Sequence, residues 1–324
     1  MGLRILSPGL ATSVQDLGRV GYYHLGIPIS GGMDRLALRT ANSLVGNCEN
    51  AAVLEVVFMG PEVEFTSDAM VAVTGAEIPP MIDGEVKDTW TSFAVKAGQV
   101  ISFGYLKSGA RAYIAISGGI EVPVVLGSRS TYGLGALGGY KGRNLQVGDE
   151  VDIGADSTTV KEGRCIPKRL RNESTATAEL RVLTGLYWHR ITDESKATFF
   201  EDVWNVASEA DRIGYRFKKG RHLKFNERKQ PFGAGSDPSN IVDGCYPYGS
   251  VQVPGGTEPI VLHRDAVSGG GYFMIGTVIS ADMDSIGQLQ PNMPAQFIQV
   301  NMEEALKART HRNSKLDAIR ACLT

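Results

Sequence analysis

The sequence predicts a mainly β protein with a few helices, and three observations predict it. Short runs rich in β-branched residues recur along the chain. Many of the 39 glycines stand between them in turn-like clusters. Three stretches carry helical periodicity.

The candidate strands cover 3–6, 53–57, 62–65, 70–74, 100–103, 111–117, 151–153, 180–183, 203–207, 215–217, 250–253, 259–262, 274–280 and 296–300. Their spacing suits an all-β sandwich or barrel. The first helix is expected over 34–45, with Leu36, Ala37, Thr40, Ala41 and Leu44 on one stripe. Asp34 is placed to cap its start and Gly46 its end. A second helix is expected over 283–289. A third, over 302–323, has Glu303 and Glu304 early and Lys307, Arg309 and Arg312 later, an order that suits the helix dipole. Its apolar positions are thin, so it reads as a surface or docking helix.

Residues 95–101 echo residues 145–151: each offers a Gly-polar turn that feeds a strand. Segments 155–159 and 172–177 are polar and small, with the basic run Lys168-Arg169-Leu170-Arg171 between them. That is linker composition, and it divides the chain into domains over 1–160 and 178–324.

The formal net charge is −2, which gives no electrostatic reason for a nucleic acid or an anionic membrane as partner. Cys48, Cys165, Cys245 and Cys322 are far apart, and the histidines are equally scattered, so no metal site is expected. Unpaired cysteines and the lack of any long apolar run point to a cytoplasmic protein. Asn172-Glu173-Ser174 matches a glycosylation sequon by chance in that setting.

Gly133-Leu134-Gly135-Ala136-Leu137-Gly138 matches G-x-G-x-x-G. A dinucleotide site needs a helix to follow, and Gly139-Tyr140-Lys141-Gly142 cannot supply one. Gly135 and Gly138 could instead wrap an anion or meet a partner, helped by Arg129, Lys141 and Arg143, or the loop is plain surface. No Walker A sequence, G-x-S-x-G elbow or Met-Lys-Met biotinylation motif is present. Asp16 and Arg19 stand either as ligands for a small polar molecule or as an ion pair.

The densest polar constellation lies near the C-terminus. Asn240 and Asp243 follow Gly235-Ser236-Asp237-Pro238-Ser239. Further on comes His263-Arg264-Asp265-Ala266-Val267-Ser268-Gly269-Gly270-Gly271-Tyr272. Arg264 could hold a carboxylate or carbonyl oxygen, Asp265 and Ser268 could take amide N–H groups, and the glycines let a ligand approach the backbone. The competing reading is a tight turn with a structural Arg–Asp pair. His263 reads as a structural histidine, and no general base is assigned.

Longer motifs carry a resemblance. They include Ser7-Pro8-Gly9-Leu10-Ala11-Thr12-Ser13-Val14-Gln15-Asp16-Leu17-Gly18-Arg19, Ser30-Gly31-Gly32-Met33-Asp34-Arg35, and Leu126-Gly127-Ser128-Arg129-Ser130-Thr131-Tyr132. In the second half, Ser208-Glu209-Ala210-Asp211-Arg212-Ile213-Gly214-Tyr215-Arg216 continues it. The chain resembles the carboxyltransferase subdomain A/B family, also called allophanate hydrolase subunit 2 or KipA-like. The resemblance implies two cyclophilin-like β-barrel subdomains and a KipI-like partner carrying subdomains C and D. It implies one of three roles: the C subunit of an ATP-dependent 5-oxoprolinase working with a further subunit, a biotin-dependent carboxyltransferase acting on urea or a related amide, or a regulatory antagonist of a KipI-like kinase inhibitor. ATP would be used by the complex, and biotin would arrive on a separate carrier. The 263–272 stretch, with Pro238-Ser239-Asn240, resembles the urea-carboxylase version.

Overall fold

The computed structural model describes residues 2–155, 160–172 and 175–323. Residues 156–159 and 173–174, which belong to the expected linker and sequon, lie outside the described residues. The chain divides into two compact units. One comprises Met1–Val20, Ser30–Glu173 and Ser314–Thr324, the other Gly21–Ile29 and Ser174–Asn313.

The first unit carries β1 (Gly2–Ser7), β2 (Ala11–Gln15), α1 (Arg35–Leu44), β3 (Val53–Val57), β4 (Glu62–Phe65), β5 (Ala69–Glu77), β6 (Pro80–Ile82), β7 (Glu85–Val86), β8 (Ser92–Val95), β9 (Val100–Phe103), β10 (Ser108–Ile116), β11 (Ile120–Glu121) and β12 (Glu150–Ile153). They form a seven-stranded sheet in the order β11-β12-β1-β4-β9-β6-β7 and a five-stranded sheet in the order β2-β3-β10-β5-β8. Leu3, Ile5, Val63, Phe65 and Ile101 of the first sheet meet Val71, Val73, Ala112, Ile114 and Ile116 of the second in one core.

Strand alternation explains the second layer. Ala72, Tyr113 and Ala115 point to the opposite face of β5 and β10, where they pack on Leu36, Ala37, Leu38, Ala41 and Leu44 of α1. α1 begins as expected: Asp34 accepts a bond from the Ala37 N–H at 2.9 Å, a cap worth about 1 kcal/mol. The two echoed turns use one device. Gly98 and Gly148 both take positive φ and donate to a neighbouring strand, at Phe65 O and Ile5 O, before β9 and β12 begin.

The second unit carries β13 (Ala178–Thr184), α2 (Asp193–Glu201), β14 (Trp204–Val206), β15 (Gly214–Lys218), β16 (Asn240–Cys245), β17 (Ser250–Gln252), β18 (Ile260–Leu262), β19 (Gly269–Tyr272), β20 (Met274–Val278), α3 (Met283–Ile286) and β21 (Pro294–Gln299). A closed barrel runs β13-β20-β17-β18-β15-β14-β21, and the parallel pairing of β13 with β21 closes it. Trp204, Phe217 and Phe297 fill it without exposure, with Phe199 of α2 stacked on Phe297 at 4.7 Å.

The sequence reading had no element at α2, although Thr192 caps it by accepting from the Ser195 N–H and two acids follow. Its apolar face is short, which hid the helical period. α3 ends at Ile286, three residues before the expected limit of 289. α4 (Met302–Ala321) buries more than its thin stripe suggested. Ala305 and Ala308 pack on Ile279 within the second unit, and Leu316 and Ile319 join the α1 cluster of the first.

Candidate functional site

The residues singled out in the second half gather around a two-stranded ribbon outside the barrel. β16 pairs with β19 through Asn240↔Tyr272, Gly244↔Gly270 and Cys245↔Gly269. The glycines are steric: a Cβ on Gly270 would meet the Tyr246 ring at 3.1 Å, and one on Gly269 would meet the Gly244 carbonyl at 3.2 Å. The Tyr246 hydroxyl pins the ribbon by donating to Tyr272 O at 2.8 Å and accepting from Tyr272 N at 2.7 Å. Burial raises the pKa of that phenol.

Arg264 is buried and stacks on Tyr248, its guanidinium carbon 4.2 Å from the ring centroid. Tyr248 stands edge-on to His263, whose Nε2 lies 3.0 Å from Met283 O. His263 is thus a buried, hydrogen-bonded histidine, as expected. Asp265 is held by Arg212, which donates to it at 2.8 and 3.2 Å. The structural Arg–Asp pair weighed for this turn therefore exists, but with Arg212 as the cation. Ser268 Oγ donates to Tyr23 O at 3.1 Å. Burial raises the Tyr23 phenol pKa, and the Arg264 charge opposes that rise. Asp243 is exposed and accepts from the Gly244 N–H. The Asn240 carbonyl accepts from Arg228 Nη2 at 2.7 Å.

The 129–141 group belongs to the first unit. Arg129 donates to the Glu121 carboxylate and to Val122 O, and its N–H binds Asp16. Lys141 lies 4.9 Å from the Tyr140 ring centroid. Arg143 forms a bidentate pair with Asp149 at 2.7 and 2.8 Å. Gly135 lies against the Tyr132 ring, and Gly138 lies against Ser130 O and the Arg19 guanidinium. No helix follows this loop, so it lacks the element that a dinucleotide site needs. Asp16 accepts from Gly18 N, Arg129 N, Ser128 Oγ and Ser130 Oγ, while Arg19 donates to Ser130 O. Asp16 and Arg19 thereby tie the N-terminal segment to the 128–130 segment.

Two side chains that the sequence reading did not single out, Arg228 and Gln230, line an open cavity of about 640 Å³ together with Asn226 and Ser236. The signal available was the polar run Asn226-Glu227-Arg228-Lys229-Gln230, which has no apolar periodicity to explain it.

Residues 25–299 match the family described as carboxyltransferase domain, subdomain A and B. Over 307 residues the chain is 37% identical to the C subunit of 5-oxoprolinase from Escherichia coli K12, covering 95% of this chain and 94% of that one. It is 34% identical over 314 residues to urea amidolyase of Saccharomyces cerevisiae, covering 94% of this chain and 17% of that protein. The crystal structure of Kluyveromyces lactis urea carboxylase superposes with a TM-score of 0.91 at 32% identity, over 98% of this chain and 29% of that chain. A closed barrel joined to further sheets, matched end to end in this way, defines a carboxyltransferase-type β protein. The chain belongs to the carboxyltransferase subdomain A and B family, and the relatives just named are an enzyme subunit and two enzymes.

Proposed function

We propose that this chain is the A/B subunit of a complex that opens 5-oxoproline to glutamate with ATP. One observation carries the reading. The chain is 37% identical to the 5-oxoprolinase C subunit over 307 residues, against 34% to urea amidolyase over 314. In this reading the first unit is subdomain A and the second is subdomain B. Subdomains C and D come from a KipI-like partner, with a third subunit besides. ATP is a co-substrate of the complex. Arg264, Asp265, Ser268, Asn240 and Asp243 contact the amide substrate or position groups that do.

A second reading has its own support. The superposition on urea carboxylase favours a carboxyltransferase step on urea or a related amide, with biotin delivered on a separate carrier. The test is turnover by the chain co-purified with its KipI-like partner. Each of 5-oxoproline and urea is supplied with ATP, with and without bicarbonate and a biotinylated carrier. Glutamate formed without bicarbonate is the expected result. Loss of urea that depends on bicarbonate and biotin would replace the first reading with the second. No turnover under any condition, with tight binding of the partner, would leave a regulatory protein.

A further inference from the structure

Tyr246 and Tyr248 direct their hydroxyls to protein partners. Tyr246 gives and takes a hydrogen bond with the Tyr272 backbone, and the Tyr248 hydroxyl lies 3.5 Å from His263 Nε2. Tyr23 differs. Its side chain is half-buried, yet among the described residues nothing hydrogen-bonds its hydroxyl, and that oxygen is not sealed from solvent.

The backbone beneath Tyr23 is fixed. Tyr23–Leu25 form one short helical turn that ends at Gly26, whose φ is +74°. Tyr23 O accepts from the Gly26 N–H at 2.9 Å and from Ser268 Oγ at 3.1 Å. Ser268 immediately precedes β19, so the turn is tied to the start of the glycine strand. Gly21–Ile29 belongs to the second unit, although the residues before and after it in sequence belong to the first.

The Arg264 charge acts on the same phenol, so a cation stands near a neutral donor. Burial raises the Tyr23 pKa more than Arg264 lowers it, so the phenol keeps its proton at neutral pH and has an O–H to give. A guanidinium likewise only donates. The complementary guest therefore presents an oxygen. We infer that Tyr23 is a further substrate-contacting residue of this site: its phenol donates a hydrogen bond to the amide oxygen of the substrate, and Ser268 acts through Tyr23 as a positioning residue. The proton stays on the phenol throughout. As the amide opens, its oxygen gains negative charge, and a donor held in place beside a cation binds it more tightly. That the amide is 5-oxoproline rests on the function proposed above; the placing of Tyr23 rests on the geometry.

The test uses the full chain co-purified with its KipI-like partner and supplied with ATP. 5-Oxoproline and urea are presented separately, with bicarbonate and a biotinylated carrier added for urea. Tyr23→Phe removes an oxygen that no protein group holds, so its melting temperature should match the parent. Its kcat/KM for 5-oxoproline should fall by about tenfold or more, through kcat. Ser268→Ala should cause a smaller loss in the parent and none in the Tyr23→Phe background, because it works through the phenol. If Ser268→Ala fails to fold, Tyr23→Phe decides alone. A loss in KM alone moves the contact to the substrate carboxylate and overturns the assignment to the amide oxygen. Additive losses in the double variant overturn the role of Ser268. A turnover loss matched by a lower melting temperature makes the hydroxyl structural and overturns the contact. Parental kcat/KM in Tyr23→Phe also overturns it, while leaving the proposed function standing. Turnover of urea in place of 5-oxoproline, with the same loss in Tyr23→Phe, does the reverse. Turnover of neither substrate by the parental complex overturns both.

Discussion

Arg212 reaches across from the 208–216 segment and donates two hydrogen bonds, at 2.8 and 3.2 Å, to the carboxylate of Asp265. The backbone joins the same two residues, because Asp265 N–H donates to Arg212 O at 2.9 Å. Asp265 is 8% exposed, so Arg212 stands in for much of the water it lacks. Removing one member of such a pair leaves a buried charge without compensation, and removing both costs less. Arg212→Met should lower unfolding free energy by roughly 3 kcal/mol. The double variant Arg212→Met/Asp265→Leu should recover part of that loss in urea denaturation. A single variant as stable as the parent would mean that Asp265 has another partner.

Much of this arrangement was legible before the structure, and the unreadable part has a physical cause. β5 was legible as the β-branched run 70–74, and the structure turns Val71 and Val73 to one core and Ala72 to the other. α1 announced itself by its stripe and by Asp34. The ribbon strands β16 and β19 gave no such signal. Gly269-Gly270-Gly271 has no side chains to alternate, and β16 is half exposed. The clustering of Asn240 with Ser268 and the glycines was inferred from composition, yet the choice of Arg212 as the cation for Asp265 was hidden. Nothing in sequence separation says that a residue 53 positions away is the partner.

Gly138 offers a test of the glycine-rich loop as a folded turn. Its φ is +66°, and a Cβ there would lie 2.3 Å from Ser130 O and 2.5 Å from Arg19 Nη2. Gly148 also has positive φ, +83°, but a Cβ there meets nothing within 4 Å. Gly148→Ala should therefore cost only the conformational penalty, about 1 kcal/mol. Gly138→Ala should cost more, roughly 3 kcal/mol, because the backbone of Ser130 cannot yield cheaply. Paired thermal melts check the order. Equal losses would show that the loop opens around the new methyl group.

The protein should lose stability on acidification, and the sign follows from its carboxylates. The Arg143 guanidinium holds Asp149 below the usual carboxylate range, with the Gln146 N–H assisting against the opposing effect of burial. Arg320 does the same for Glu49, and Arg221 for Asp202. A carboxylate whose folded pKa is depressed contributes stability that is fully present above its unfolded value, about 3.9 for Asp and 4.3 for Glu. That stability is lost as pH falls through the folded pKa. The urea midpoint should thus be flat down to about pH 5 and fall below it. Asp149→Asn should lower the midpoint at neutral pH and make the acid fall shallower. An acid limb of unchanged steepness in that variant would remove Asp149 from the account.

Arg264 decides whether the ribbon site touches substrate. Its guanidinium lies 4.2 Å from the Tyr248 ring centroid, and the residue is 3% exposed. A purely structural arginine in that position would reveal itself mainly in stability. Lysine keeps the charge but lacks the planar face and the paired N–H donors that grip a carboxylate or carbonyl oxygen. With the partner present, Arg264→Lys should reduce kcat/KM for 5-oxoproline by about tenfold or more, a loss of about 1.4 kcal/mol of transition-state binding. Tyr248→Phe keeps the ring under the guanidinium and should reduce it far less. The melting temperature separates the alternatives, because the substrate role predicts that Arg264→Lys loses turnover out of proportion to stability. If both variants keep parental kcat/KM while Arg264→Lys melts early, Arg264 is a brace for Tyr248 and His263, and the substrate is gripped elsewhere.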